Sequence, residues 1–218
     1  MLRALFEKTG NAIWISHLDL MRVFQRAFKR AGLRLTHTQG YNPRPSVSIA
    51  LPLSVGVESH CELLDFELET PCDCDKIREL LNENLIAGVR VLSVYGDGGK
   101  LKNLAFLDCT VTLEYEEGIP AGAQEAIAEL FTRDALLVEK KSKNGITEQN
   151  IIPMIQSIAV KKVDGQTLIL NGRICCQEPT LNPAQLSAAI GKYLPDMAGD
   201  FVKICRLELY DKEENIFR

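Results

Sequence analysis

Apolar positions near the start of the chain recur first every second residue and then every third or fourth. Leu2–Glu7 alternates as a half-buried strand does, Lys8-Thr9-Gly10-Asn11 reads as a turn, and Ala12–Ile15 as a short extended run. From there Leu20, Phe24, Ala27, Phe28 and Ala31 fall on one face of a helix. Ser16 followed by Asp19 is a capping-box pattern, with the Ser16 hydroxyl accepting from the Asp19 N–H and the carboxylate reaching back to the Ser16 N–H. Gly32 supplies a left-handed stop. Leu33–Leu35 extends, Thr36–Pro45 is a polar loop, and Ser46–Leu51 alternates again. A turn at Leu53–Gly56 leads to a strand over His60–Leu68, which Pro71 ends. Asp75–Leu85 is a helix on Ile77, Leu80, Leu81 and Leu85, and Val89–Val94 a strand. The order β-α-β-β-α-β predicts a ferredoxin-like sandwich.

The second half repeats this order less cleanly. Strands are expected over Phe106–Glu116, Ala135–Lys140 and Phe201–Leu209, with a hairpin of Ser157–Val163 and Thr167–Cys175 turning at Asp164-Gly165. Helices are expected over Ala121–Phe131 and from Asn182-Pro183 to about Leu194. Lys141–Gly145 reads as a turn, and Asn150–Met154 fits no single pattern. The expected class is α+β, as two tandem ferredoxin-like domains over 1–96 and 101–218. The glycine-rich Tyr95–Lys100 marks the boundary; it lacks the spacing of a phosphate-binding loop.

Hydrophobic residues at 46% and charged residues at 25% are those of an ordinary globular chain. No apolar run nears the roughly 18 residues of a membrane span, and the N-terminus does not read as a signal peptide. The expected location is cytoplasmic, with no membrane partner. Seven cysteines at irregular positions suit reduced thiols better than a disulfide framework or a structural zinc site, so neither metal nor cofactor is expected.

Charge changes the picture. The net charge is −4, yet residues 1–50 hold 8 of the 25 Lys and Arg and only 2 of the 29 Asp and Glu, a local balance of +6. The remaining 168 residues balance to −10. Such asymmetry points to one face meeting an anionic partner. Arg22, Arg26, Lys29 and Arg30 share a side of the first helix, and Arg34 lies beyond it. Guanidinium groups fork onto phosphate oxygens, and a row of them follows a nucleic-acid backbone; the plainer alternative is a solvated helix face. In Gly40-Tyr41-Asn42-Pro43-Arg44-Pro45 two prolines stiffen the chain around Arg44, which lowers the entropy lost on binding. Tyr41 offers a ring for stacking, and Asn42 and Ser48 add polar contacts. The plainer alternative here is a rigid crossover. His17 and His37 flank this unit and would be the acid and base if RNA were cut without metal; both equally suit structural roles. The aromatic signature of RNA-recognition motifs is absent from the sequence.

The strings ISHLDLMR (Ile15–Arg22), RAFKRAGL (Arg26–Leu33), QGYNPRP (Gln39–Pro45) and ALPLSVGVES (Ala50–Ser59) resemble the radical SAM-linked protein family of bacteria, as does the opening FEKTG (Phe6–Gly10). The family has no established activity and is encoded beside, or fused to, a radical SAM protein, so the resemblance implies a partner more than a reaction. It maps onto Ser16, His17, Asp19, Arg22, Arg26, Arg30, Gly40, Asn42, Pro43, Arg44, Pro45, Ser48, Gly56 and Ser59. Ser46 and Val47 depart from it where many relatives carry a lysine and another small or apolar residue, which removes one possible phosphate contact. The chain has no C-x-x-x-C-x-x-C triad for an iron–sulfur cluster.

Three readings follow. The first is an accessory module that binds RNA or presents a substrate for a separate radical SAM enzyme. The second is a metal-independent endoribonuclease of tandem ferredoxin-like type. The third is a protein-interaction adaptor that binds no nucleic acid.

Overall fold

The computed structural model describes residues 1–142 and 145–218. The chain divides into two compact units, Met1–Asn103 with Phe217–Arg218, and Leu104–Ile216.

In the first unit the strands are β1 (Leu2–Lys8), β2 (Val47–Ile49), β3 (Val57–Phe66) and β4 (Val89–Tyr95), and the helices α1 (His17–Arg30) and α2 (Cys74–Asn84). β1 pairs antiparallel with both β3 and β4, and β2 pairs antiparallel with β3, giving the order 4-1-3-2. Leu20, Phe24, Ala27 and Phe28 of α1 are buried with Ile77 and Leu81 of α2 in one core. Phe24 meets Phe6 of β1 edge-on at 4.8 Å between ring centroids, and Phe28 meets Phe66 of β3 at 4.9 Å. Each such buried ring contributes about 1.5–3 kcal/mol, which fixes the face α1 turns inward. Polar pairs brace the same unit. Arg3 donates to both Asp65 oxygens, at 2.6 and 3.0 Å, and to the Gly99 carbonyl. Lys8 is fully buried and donates to the Ile13 and Ile15 carbonyls. Burial pushes its pKa down, with the Glu62 carboxylate opposing.

The second unit contains β5 (Leu104–Glu114), α3 (Ala123–Leu130), β6 (Leu137–Ser142), β7 (Gly145–Asn150), β8 (Ile155–Lys162), β9 (Thr167–Cys175), α4 (Ala184–Tyr193) and β10 (Phe201–Asp211). β5 pairs with β10 and β9, and β9 with β8, all antiparallel. Counting these four strands in chain order repeats 4-1-3-2, the ferredoxin-like order. β6 and β7 stand apart as a hairpin inserted between α3 and β8.

The α+β class with ferredoxin-like element order is therefore the observed one. Three local readings change. Ala12–Trp14 lies in a 3-10 turn, Gly10–Trp14, and not in an extended run, and only Ile15 after it is extended; the Ile15 N–H bonds to the Ala12 carbonyl. The strand expected over Ala135–Lys140 is β6, which pairs only with β7, a strand that the pattern does not announce. The turn read over Lys141–Gly145 includes 143 and 144, which lie outside the described residues. Asn150–Met154 resolves into the end of β7 and a 3-10 turn at Ile152–Met154.

Candidate nucleic-acid interface

The cap of α1 sets where its cations begin. The Ser16 side chain accepts from the Asp19 N–H at 3.2 Å, as the capping pattern requires. The carboxylate does not reach back to the backbone. It accepts from the Ser16 hydroxyl at 2.7 Å and from Arg22 at 2.7 Å, because the arginine one turn on competes for it. The Ser16 hydroxyl first, and then Arg22, hold the Asp19 carboxyl below its ordinary pKa. At the other end the Gly32 N–H bonds to the Lys29 carbonyl and the Leu33 N–H to the Phe28 carbonyl. This paired closure needs the positive φ of 71° at Gly32.

The basic row is not uniform. Arg22 is spent on Asp19. Arg30 donates to the Asn84 carbonyl at the end of α2, so it ties the two helices together where both dipoles are negative. Arg26, Lys29 and Arg34 are exposed, and among the described residues no carboxylate pairs with them. The same holds for Arg44.

The proline loop is a small hairpin. Thr36 and Ser46 bond backbone to backbone, Thr38 donates to the Arg44 carbonyl, and the Arg44 N–H donates to the Thr38 hydroxyl at 3.0 Å. His37 pairs with Pro45 across it. Each proline falls where the ladder asks for no donor, so both prolines fit without loss. Arg44 is therefore fixed at its backbone, with its side chain exposed, while Gly40 (φ 141°), Tyr41 and Asn42 form the outward tip. Tyr41 is fully exposed. Ser48 is exposed on β2.

Between the last turns of α1 and the segment 33–37 lies an open groove of about 620 Å³. Its floor includes Phe28, Leu33 and Leu35, all buried; Lys29, Arg34 and His37 line it with Gln25, Pro45 and Glu69. Of the residues singled out in the sequence, the groove thus gathers Lys29, Arg34 and His37. It does not gather Arg22, Arg26, Arg30 or Arg44; Arg44 is joined to it only through its neighbour Pro45. His17 begins α1, about 12 Å of helix rise before Gln25, the first residue of α1 to line the groove that His37 also lines. His17 is not among the residues that line the groove.

Glu69 was not visible as a site residue. It reaches the groove because its N–H bonds to the Arg34 carbonyl at 2.9 Å, a contact between distant segments. Arg3, Lys8 and Asp65 also escaped notice, since a strand pattern says which face is inward but not that a charge sits there. Among the described residues no three His, Cys, Asp or Glu side chains gather to hold a metal ion, and no helix is long and apolar enough to cross a membrane.

The fold and this surface together define an α+β ferredoxin-like protein with an open cationic groove beside its first helix. The chain belongs to DUF2344, a family described as an uncharacterized protein conserved in bacteria, whose model matches residues 1–183. No curated protein matches the sequence. Among solved structures, a chain of a Cbf5–Nop10–Gar1 complex is similar with a TM-score of 0.50 at 9% identity, covering 94% of this chain and 48% of that one. A chain of the archaeal box H/ACA sRNP Nop10–Cbf5 complex gives 0.44 at 9% identity, with coverages of 93% and 46%. A protein from Galdieria sulphuraria, described as unknown, gives 0.27 at 11% identity. The chain spans about half the length of the first two of these structures. At such identities the likeness to the first speaks for the fold alone.

Proposed function

We propose that this protein is an accessory RNA-binding or substrate-presenting module that acts with a separate radical SAM enzyme in RNA modification or processing. One observation carries the RNA half. Arg26, Lys29, Arg34 and Arg44 stand exposed on one helix, its exit and the hairpin that follows, with no carboxylate paired to them among the described residues. Cations left unpaired in a chain of net charge −4 are suited to an anionic partner rather than to internal stability. The radical SAM half rests on the motifs between Phe6 and Ser59. With no cluster-binding triad in the chain, the radical chemistry belongs to the partner. We further propose that the two units are separate domains, their boundary falling in the stretch after β4.

The test is RNA binding by the full chain at several salt concentrations. The wild type binds single-stranded RNA with an affinity that falls steeply with salt, and Arg26→Glu or Arg44→Ala weakens it for every sequence tried. Affinity that ignores both substitutions contradicts the proposal.

A protein-adaptor reading has one observation of its own. Trp14, just before α1, and Leu18, in its first turn, are each 67% exposed, and Val55, next in the chain to the Gly56 that the Trp14 ring approaches, is 54% exposed. An exposed tryptophan of this kind commonly anchors a protein interface. Recovery of the radical SAM protein from nuclease-treated extract, lost on Trp14→Ala, combined with no measurable RNA affinity, would favour this reading over the first.

A further inference from the structure

We propose that the groove beside α1 receives one unstacked nucleotide of the bound RNA and prefers guanine, with Glu69 reading the base; this inference rests on the RNA-binding reading above. Its volume, about 620 Å³, lies within the roughly 300–1,000 Å³ of small-ligand sites. The lining has two chemistries. Leu33 and Leu35, 9% and 8% exposed, with Phe28 buried behind them, give a small apolar floor for the ring of a base. Lys29 and Arg34 are exposed at its edge, where a phosphate remains in water and takes charge-assisted hydrogen bonds.

A paired duplex keeps its bases stacked inward and cannot fill such a hollow, whereas a loop or a free end can offer a splayed nucleotide. Glu69 decides between RNA and an acidic peptide as occupant. A peptide carboxylate drawn to Lys29 and Arg34 would meet Glu69 as a like charge. A nucleotide separates its two chemistries, with the phosphate on the cations and the donors of the base on the carboxylate. Among the described residues Glu69 forms no ion pair with the cations lining the groove, so its oxygens remain available as acceptors.

The four bases differ in what they offer a carboxylate. Guanine presents N1–H and an N2 amino group side by side, two donors that match two carboxylate oxygens. Adenine and cytosine present one amino donor next to a ring-nitrogen acceptor. Uracil presents a single N3–H between two carbonyl oxygens, which repel the acid. A matched two-donor contact gives about tenfold discrimination or more.

The experiment measures binding of the full chain to four short uridine oligoribonucleotides that differ only in one central base, G, A, C or U. The expected order places G tightest, about tenfold tighter than U, as one good two-donor contact provides. Glu69→Gln, at an exposed position that leaves the core untouched, is expected to bring that ratio to about twofold while the all-uridine affinity holds or improves. Four RNAs bound equally overturn the base-reading groove and leave the RNA-binding proposal standing. A guanine preference that survives Glu69→Gln overturns the role of Glu69. No binding to any of the four at low salt, or binding to polyglutamate in their place, overturns both proposals.

Discussion

The two units share one topology and use it oppositely. Each runs β-α-β-β-α-β with strand order 4-1-3-2, and each inserts a two-stranded excursion after its first helix: the proline hairpin at 36–46 in one, and β6–β7 in the other. In the second unit the first helix is acidic, with Glu125 and Glu129 exposed. Three cations there pair with carboxylates: Lys192 with Glu148 at 2.7 Å, Lys203 with Glu114, and Arg173 with Asp108 at 2.8 Å and Glu214 at 3.1 Å, stacked on Tyr210 at 3.9 Å; Lys161, Lys162 and Lys212 are exposed and form no ion pair among the described residues. In the first unit the cation without a carboxylate is the rule along α1 and its hairpin. Exposed ion pairs contribute only about 0–1 kcal/mol, so stability does not require either arrangement. The contrast shows that this scaffold tolerates both charge patterns.

The comparison breaks most sharply at the buried pair. Arg3 and Asp65 are each 6% exposed, against 25% and 28% for Arg173 and Asp108. Asp65→Asn leaves a buried guanidinium without its counter-charge and is expected to cost about 3–5 kcal/mol. Asp108→Asn, in a wetter pair, should cost about 1 kcal/mol. Chemical denaturation of both variants checks the order; equal losses would mean that the two frames are braced alike.

The charge contrast predicts the next largest effect. Arg34→Ala is expected to weaken RNA binding about threefold to tenfold, while Lys192→Ala in the other unit leaves it unchanged. Fluorescence anisotropy with one RNA measures both; a matching loss at Lys192 would dissolve the distinction.

The smallest effect is local to the start of α1. Asp19 has its pKa depressed, by the Ser16 hydroxyl above all and by Arg22 next. A depressed folded-state carboxylate contributes stability that is present above its unfolded pKa of about 3.9 and is lost as pH falls through the lower folded value. Ser16→Ala is expected to raise the Asp19 pKa towards the ordinary value, read by NMR titration of its side chain. An unmoved Asp19 would assign the shift to Arg22 instead.

Much of this was legible in the sequence, for identifiable reasons. α1 was visible because Leu20, Phe24, Ala27 and Phe28 keep a helical period and both of its ends carry cap residues. The element order of the first unit, β-α-β-β-α-β, followed from two such helices set among alternating runs. The unpaired state of Arg26, Lys29 and Arg44 was foreshadowed by the shortage of acids before residue 50. What the sequence hid came from long-range pairing. Arg30 looked like a member of the cationic row, yet the end of α2 claims it. His17 and His37 both flank α1 in the sequence, yet only His37 lines the groove. Glu69 carries no local pattern, and only its pairing with Arg34 brings it to the groove. β7 has Ile146 as its single large apolar residue and shows no alternation, so nothing in it announces a strand.

The central claim is that unpaired cations of α1 and its hairpin contact RNA phosphates, and the salt dependence of RNA affinity tests it most directly. The full chain and a variant with Arg26, Lys29, Arg34 and Arg44 all replaced by Ala are titrated with the same single-stranded RNA across a range of salt. Each phosphate contact adds about 0.7 to the slope of log affinity against log salt, so the variant's slope should be shallower by up to roughly three. Equal slopes for the two proteins would contradict the account.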